Sequence, residues 1–181
     1  MTISTKYTHA DLLAMPEDGK RREIIDGQLY ITPSPVTPHQ RILRNLTFAL
    51  GKFLELHPLG ELLFAPMDVI LGEYDGVEPD LLFVLNEHRH YLQDWVRGAP
   101  DLVVEILSPT TVARDRGLKM KAYARYRVGE YWIVDPVAQV IEVYRLTAEG
   151  FRLATTHAQN DILETSLLPG FSLPVGSIFQ P

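Results

Sequence analysis

The segment DLVVEILSPTT, residues 101–111, gives the clearest indication of how this 181-residue chain folds. Its first part is apolar from 102 to 107 except for a single carboxylate, Glu105. A strand that is apolar without alternation is buried on both faces, as at the centre of a covered sheet. Two further runs of this kind, LLFVL at 81–85 and EYWIV at 130–134, predict two more central strands.

A helix is predicted over residues 111–127, between the strands at 102–107 and 130–134. A strand, a helix and a strand joined by short connections form a βαβ unit, whose strands run parallel and whose connection is right-handed. The pattern therefore indicates an α/β fold with a mixed central sheet.

Turn and capping residues predict the remaining elements. The dipeptide Asp26-Gly27 is typical of a tight hairpin and separates strands predicted at 22–25 and 28–32. Thr37 as N-cap and Pro38 in the first turn predict a helix that ends before His57-Pro58. The other predicted elements are a short helix at 8–15, strands at 61–65 and 67–71, a polar loop with Gly72 and Gly76, and an edge hairpin at 140–145 and 151–155.

Composition limits the classes of function. The chain has no cysteine, which excludes disulfides, thiolate nucleophiles and cysteine-bound metal clusters. Its length predicts a single domain over 1–181, and no apolar run approaches the ~18 residues of a membrane helix, so we expect a cytoplasmic protein without membrane contact. The net charge of −6 argues against non-specific coating of nucleic acid, but it leaves room for an enzyme with one local contact patch.

Two carboxylates stand at unusual places in the predicted central strands. Glu105 lies inside an apolar run, where a charge is costly unless it is paired, protonated or bound to metal. Asp80 opens the neighbouring strand, so its side chain can point to the same end of the sheet. A salt bridge would explain the first and a turn the second, but their occurrence together on adjacent strands favours a functional site.

Lys119 is the third charge in an unexpected position. At about 100° per residue, it lies in the middle of the apolar stripe of the helix at 111–127, whereas Lys121 points away from that stripe. A lysine on a buried stripe needs a partner for its ammonium group. A simple ion pair with Glu105 that holds the helix to the sheet is one explanation, and Asp115, one turn earlier, is the alternative partner.

Two carboxylates and a lysine at one end of a sheet point to a particular chemistry. Mg²⁺ binds carboxylate oxygens and keeps several of its waters. A bound metal lowers the pKa of such a water and offsets the charge of a phosphate, and a lysine can stabilise the transition state. The combination predicts metal-assisted hydrolysis of a phosphodiester.

The order and spacing of several motifs resemble the Uma-type restriction endonuclease family of the PD-(D/E)XK nuclease superfamily. The motifs, spread over about 15–146, are MPEDGKRREIIDGQLY, SPVTPHQRI, PDLLFV, VVEILSPTT, DRGLKMKAY and EYWIVDP. The resemblance implies a restriction-endonuclease-like core, a mixed central sheet flanked by helices. It also implies an endonuclease that uses Mg²⁺ or Mn²⁺ and cuts nucleic acid, with DNA as the expected substrate. A homodimer would suit a double-strand cutter.

The resemblance also assigns roles to residues. Asp80 resembles the first acid of the superfamily and Glu105 the second, so both would hold the metal, helped by the carbonyl group of Ile106. The usual lysine two residues after the second acid is absent, since Leu107 stands there, and Lys119 on the following helix matches the displaced position.

Two upstream residues are weaker candidates. Glu23 matches an acid that the family holds near its site, although an exposed salt bridge beside Arg21 and Arg22 explains it equally well. His39 lies on the apolar face of its predicted helix, and a packed or capping histidine is the simpler interpretation than a metal ligand.

Two other functions remain open at this stage. One is a non-catalytic module that binds nucleic acid or protein, in which Asp80, Glu105 and Lys119 form a closed ion-pair network. The other is a metal-dependent hydrolase of a different phosphoester, although the chain has neither a Gly-rich phosphate loop nor an HExxH motif.

Overall fold

A computed structural model describes residues 6–16 and 18–181. The strands in chain order are β1 (Arg21–Ile25), β2 (Gln28–Thr32), β3 (Gly60–Phe64), β4 (Val69–Gly72), β5 (Asp75–Val77), β6 (Leu81–Leu85), β7 (Val96–Arg97), β8 (Leu102–Ile106), β9 (Glu130–Asp135), β10 (Val140–Thr147), β11 (Gly150–Ala158), β12 (Ile162–Leu163) and β13 (Leu173–Pro174). The α-helices are α1 (His9–Leu13), α2 (Thr37–Leu56), α3 (Val112–Arg114) and α4 (Met120–Arg125). Two 3₁₀ segments, Asn86–Tyr91 and Val175–Phe179, and a π-helical turn, Asp115–Lys119, complete the described elements.

A six-stranded mixed sheet forms the centre of the fold, in the order β11-β10-β9-β8-β6-β3. Strands β8 and β9 are parallel, and the helical segment that joins them completes the predicted βαβ unit. Strand β6 is antiparallel to β8, with Leu81 opposite Val104. The start of β6 and the end of β8 therefore lie at the same end of the sheet.

The three central strands are apolar throughout because both faces of this sheet are covered. On one face, Leu81, Val104 and Trp132 pack against α2 and the C-terminal segment. On the other face, Leu82 and Val103 pack against α4 and a second sheet of five strands. Burial on both sides explains the absence of polar alternation and confirms the interpretation of the sequence.

A second sheet of five strands, in the order β2-β1-β5-β4-β7, lies on the α4 side. Its β1–β2 hairpin has the predicted Asp26-Gly27 turn, in which both residues adopt positive φ. The polar loop predicted around Gly72 and Gly76 is wrong in part, because β4 and β5 form a short antiparallel hairpin there. The sequence missed it because β5 has only three residues.

The segment between β8 and β9 is not a uniform α-helix. It passes from α3 through the π-helical turn Asp115–Lys119 into α4, and it ends at Arg127, which adopts a positive φ. A π turn is wider than an α turn and is frequent at functional sites. None of the helices within the described residues is long and apolar enough to cross a membrane.

Candidate active site

Strands β1, β6 and β8 and the π turn bring the predicted site residues to one cleft of about 330 Å³. Glu23, Asp80, Glu105 and Lys119 all line it. Asp80 directly precedes Leu81 and Glu105 directly follows Val104, so the antiparallel register brings both acids to the same end of neighbouring strands. The structure therefore brings together all four residues that the sequence singled out.

Lys119 lies at the centre of the cluster. Its Nζ atom is 2.6 Å from Oε1 of Glu105, 2.7 Å from Oε1 of Glu23 and 3.9 Å from Oδ1 of Asp115. Its side chain is only 3% exposed. Burial opposes the charged form, but Glu105, Glu23 and Asp115 raise the pKa of Lys119 above its usual value, so the ammonium group stays protonated. Both partners left open by the sequence are present, and Glu23 is a third.

Glu23 is buried, so the exposed salt bridge considered for it is wrong. Its Oε1 atom accepts a hydrogen bond from the backbone N–H of Glu78 at 2.9 Å, and its Oε2 lies 3.6 Å from Nη2 of Arg114. Burial would raise the pKa of Glu23, but the neighbouring charge of Lys119, with a smaller effect from Arg114, lowers it below its usual value. Glu23 is therefore a fixed, ionised partner of the lysine.

Asp80 is held through one of its two carboxylate oxygens. Its Oδ2 accepts a hydrogen bond from the backbone N–H of Ile106 at 2.8 Å and lies 3.1 Å from Nε2 of His39. With a proton on Nε2, His39 donates to that carboxylate. The interpretation of His39 as a packed residue is only partly right, because this buried side chain also touches the site.

Glu105 is held in the same one-sided way. Its Oε1 faces Lys119 and also accepts a hydrogen bond from the hydroxyl group of Tyr123 at 2.7 Å. Burial and the neighbouring Glu105 keep the pKa of Tyr123 well above 10, so its hydroxyl group retains the proton that it donates.

The second oxygen of each acid is available to a ligand. Within the described part of the chain, Asp80 Oδ1 and Glu105 Oε2 take part in no hydrogen bond. Among the described residues, the fully enclosed side-chain atoms without a hydrogen-bond partner are His9 Nε2, His39 Nδ1 and Arg114 Nε. The two carboxylate oxygens are not among them. Both oxygens therefore keep some exposure, and their residues line the cleft.

The cleft carries an excess of negative charge. Four buried carboxylates, those of Glu23, Asp80, Glu105 and Asp115, face two cations, Lys119 and Arg114, which leaves a formal charge of −2. Arg21 and Glu78, which also line the cleft, pair with each other at 2.8 Å.

The pKa values of two acids reflect this excess. Burial raises the pKa of Glu105 well above its usual value, and the carboxylates of Asp115, Asp80 and Glu23 add to the effect against the opposing Lys119. Burial likewise raises the pKa of Asp115. A divalent cation would offset the excess negative charge of the cleft, and carboxylate oxygens are the donors that Mg²⁺ and Mn²⁺ prefer.

The donor set fits a metal that keeps several waters. Among the residues that the structure describes, no three Asp, Glu or His side chains converge closely enough to enclose an ion by themselves. Mg²⁺ is usually bound by one or two carboxylates together with waters and substrate phosphates. The free oxygens of Asp80 and Glu105, with the carbonyl group of Ile106, match that pattern.

Arg114 is a site residue that the sequence did not reveal. Its side chain is 11% exposed, donates to Thr32 Oγ1 at 2.7 Å and lies over the ring of Tyr30 at 5.4 Å. In an ideal α-helix, residues five apart are separated by about 140°, which placed Arg114 on the outer basic face, away from Lys119. The wider π turn between the two residues reduces that angle.

The fold is shared with a solved nuclease-like structure. A crystal structure described as "a putative nuclease belonging to DUF820", from Anabaena variabilis ATCC 29413, aligns with a TM-score of 0.78 at 18% identity, over 96% of this chain and 97% of that one. At this identity the likeness shows the fold alone, a mixed α/β architecture. The predicted fold class is therefore confirmed.

The chain belongs to the Uma2 family, which is described as "Putative restriction endonuclease"; the family model matches residues 9–176. The family and the fold together indicate a restriction-endonuclease-like nuclease, which confirms the resemblance stated from the motifs. An uncharacterized protein of Synechocystis sp. (strain ATCC 27184 / PCC 6803 / Kazusa), slr1290, is 35% identical over 82 residues. That match covers 45% of this chain and 43% of the relative.

Proposed function

We propose that this protein is an endonuclease that hydrolyses phosphodiester bonds with the help of Mg²⁺ or Mn²⁺, and that its substrate is nucleic acid, with DNA the expected form. The observation that carries the proposal is the buried cluster in which four carboxylates face two cations. A cluster with this charge favours binding of a divalent cation, and the family supplies the reaction class.

Asp80 and Glu105 would hold the metal through Oδ1 and Oε2, with the carbonyl group of Ile106 as a third oxygen. When bound, the metal would supply a water of lowered pKa and a positive charge beside the phosphate. The protein fixes the two acids before any ligand arrives, because each has its other oxygen held by two donors.

Lys119 would stabilise the negative charge that develops on the phosphate, or orient the attacking water. It is suited to this role because its ammonium group is protonated, lines the cleft and is fixed between Glu105 and Glu23. Fixed donors of this kind need no reorganisation during the reaction. Glu23 would act through Lys119, whose Nζ atom lies 2.7 Å from Oε1 of Glu23.

Arg114 would be a second cation for the phosphate. Its Nη2 is bonded to Thr32, but its enclosed Nε has no partner among the described residues. Arginine is suited to phosphate because its guanidinium group offers several donors in a planar arrangement. Arg114 would therefore help to bind the substrate next to Lys119.

The non-catalytic alternative predicted a closed network of Asp80, Glu105 and Lys119. Lys119 is indeed enclosed by carboxylates, but the free oxygens of Asp80 and Glu105 leave the network open toward the cleft. This geometry favours the catalytic proposal over the binding module.

The proposal is tested by cleavage of end-labelled single- and double-stranded DNA and RNA in Mg²⁺, Mn²⁺ or EDTA. Asp80→Asn keeps the shape of the side chain and removes its charge, and Asp94→Asn changes an exposed aspartate that does not line the cleft. We expect metal-dependent cutting by the wild type and Asp94→Asn and none by Asp80→Asn. Equal cutting by all three, or cutting that persists in EDTA, would contradict the proposal.

A further inference from the structure

We infer that Tyr123 is a positioning residue that fixes Glu105 so that only one of its oxygens, Oε2, is offered to a divalent cation. The inference rests on the proposed function, because it concerns the metal that Glu105 would hold. Tyr123 lies on α4 and is not among the residues that line the cleft.

The hydroxyl group of Tyr123 and the ammonium group of Lys119 meet the same oxygen. They lie 2.7 Å and 2.6 Å from Oε1 of Glu105, so that atom has two short contacts with donors. The two contacts together restrict rotation of the Glu105 carboxylate group. The remaining oxygen, Oε2, is left to the cleft.

The opposite acid is arranged in the same way. Oδ2 of Asp80 is held by the backbone N–H of Ile106 and by Nε2 of His39, and Oδ1 is left to the cleft. Two acids at the same end of neighbouring strands, each with two groups on one oxygen, form a pair of single-oxygen ligands. This repeated arrangement is the reason to assign Tyr123 to the site and not only to the core.

Tyr123 is itself held firmly enough to act in this way. Its side chain is completely buried, and its ring packs against that of Tyr131 with centroids 5.1 Å apart. Tyr131 is also completely buried, and its hydroxyl group donates to the backbone carbonyl of Asp115 at 3.1 Å. Tyr131 therefore offers a control, since it is a second buried phenol whose hydroxyl group donates to Asp115 and not to Glu105.

The experiment is a calorimetric titration of the full chain with Mn²⁺, without substrate. The wild type is compared with Tyr123→Phe and Tyr131→Phe, each of which removes one buried hydroxyl group. Loss of a partner that orients a metal ligand typically weakens metal affinity by about 10- to 100-fold. We expect a loss in this range for Tyr123→Phe and a change of less than about threefold for Tyr131→Phe, because only the first variant releases a ligand.

A further pair of variants separates positioning from a general effect on folding. If Tyr123 acts through Glu105, adding Tyr123→Phe to Glu105→Gln should weaken Mn²⁺ binding little beyond the loss caused by Glu105→Gln alone. If Tyr123→Phe alone is too unstable to titrate, Glu105→Gln is compared with Glu105→Gln/Tyr123→Phe. Both of these proteins lack the carboxylate charge of Glu105. An independent, additive loss would overturn the inference.

The outcomes distinguish this inference from the proposed function. If the wild type binds Mn²⁺ and Tyr123→Phe binds it equally well, the role of Tyr123 is wrong while the proposed function stands. If the wild type binds no Mn²⁺, the metal-dependent function and the role of Tyr123 both fail.

Discussion

Replacing Lys119 by methionine tests the electrostatic design of the site. Methionine has a similar length and fills the same space without the charge. The substitution leaves Glu23 and Glu105 buried without the ammonium group that now lies 2.7 Å and 2.6 Å away. Removing one partner of a buried ion pair costs about 3–5 kcal/mol, because the other charge stays buried and unpaired. In a domain of this size each kcal/mol shifts Tm by about 2–4 °C, so we expect Lys119→Met to lower Tm by roughly 6–20 °C.

The assay is thermal unfolding followed by circular dichroism at neutral pH, with urea unfolding as a second measure. Lys121→Met is the matched control, since Lys121 is an exposed lysine two residues along the same helical segment. A surface substitution of this kind changes stability by about 0.5 kcal/mol or less. Equal destabilisation by the two variants would contradict the buried ion pairs assigned to Lys119.

A second variant shows where the cost originates. In Glu23→Gln/Lys119→Met one of the two stranded carboxylates is neutral, so the double variant should be more stable than Lys119→Met alone. Neighbouring buried groups typically show coupling of about 0.5–3 kcal/mol in such a cycle. Strictly additive effects would mean that Glu23 and Lys119 do not interact as their geometry indicates.

Three further predictions concern the scaffold. Burial opposes ionisation of Glu142, but hydrogen bonds from Arg116 and Tyr144 lower its pKa. The stability that the ionised Glu142 contributes is therefore present above its unfolded pKa of about 4.5 and is lost as the pH falls through its folded pKa. Urea unfolding at several pH values should show that Glu142→Gln costs about 0.5–1 kcal/mol at pH 7 and that this difference from the wild type disappears in acid. Gly51→Ala, in an open position of α2, should stabilise the protein by about 0.5–1 kcal/mol, and a lower urea midpoint would contradict this. Gly60→Ala should cost about 1–3 kcal/mol, because its Cβ would meet the carbonyl oxygen of Val84 at 2.1 Å; an unchanged midpoint would show that β3 can move aside.

The central sheet was predictable from sequence because its strands are buried on both faces. Each run of apolar residues, such as the one from Leu102 to Ile106, has the composition that this environment requires. The hairpin at Asp26-Gly27 was predictable for a local reason, since its two residues tolerate positive φ. Short β5 carries no such signal, so its hairpin was not predictable.

The site was predictable to the extent that buried charges violate local patterns. Glu105 and Lys119 interrupt apolar surfaces, which is why sequence periodicity identified them. Asp80 was predictable as the second acid because the start of β6 and the end of β8 lie at the same end of the sheet. These three residues needed only the local pattern and the order of the strands.

The remaining site residues depend on information that a periodic pattern does not hold. Arg114 enters the cleft because of a π turn, whereas helical periodicity assumes a constant 3.6 residues per turn. Tyr123 fits an apolar stripe, and the partner of its hydroxyl group depends on how α4 sits on the sheet. His39 meets Asp80 only because α2 places its first turn beside the start of β6.

The metal assignment is tested most directly by the effect of a divalent cation on the stability of the folded chain. At a free Mn²⁺ concentration of 100 times Kd, binding should add about 2.7 kcal/mol, which corresponds to a rise in Tm of roughly 5–11 °C. We expect this rise in the wild type and in Asp94→Asn but not in Asp80→Asn. Without metal, Asp80→Asn should be at least as stable as the wild type, because one excess negative charge is gone. No rise in the wild type, or an equal rise in Asp80→Asn, would contradict the assignment of this cleft as the metal site.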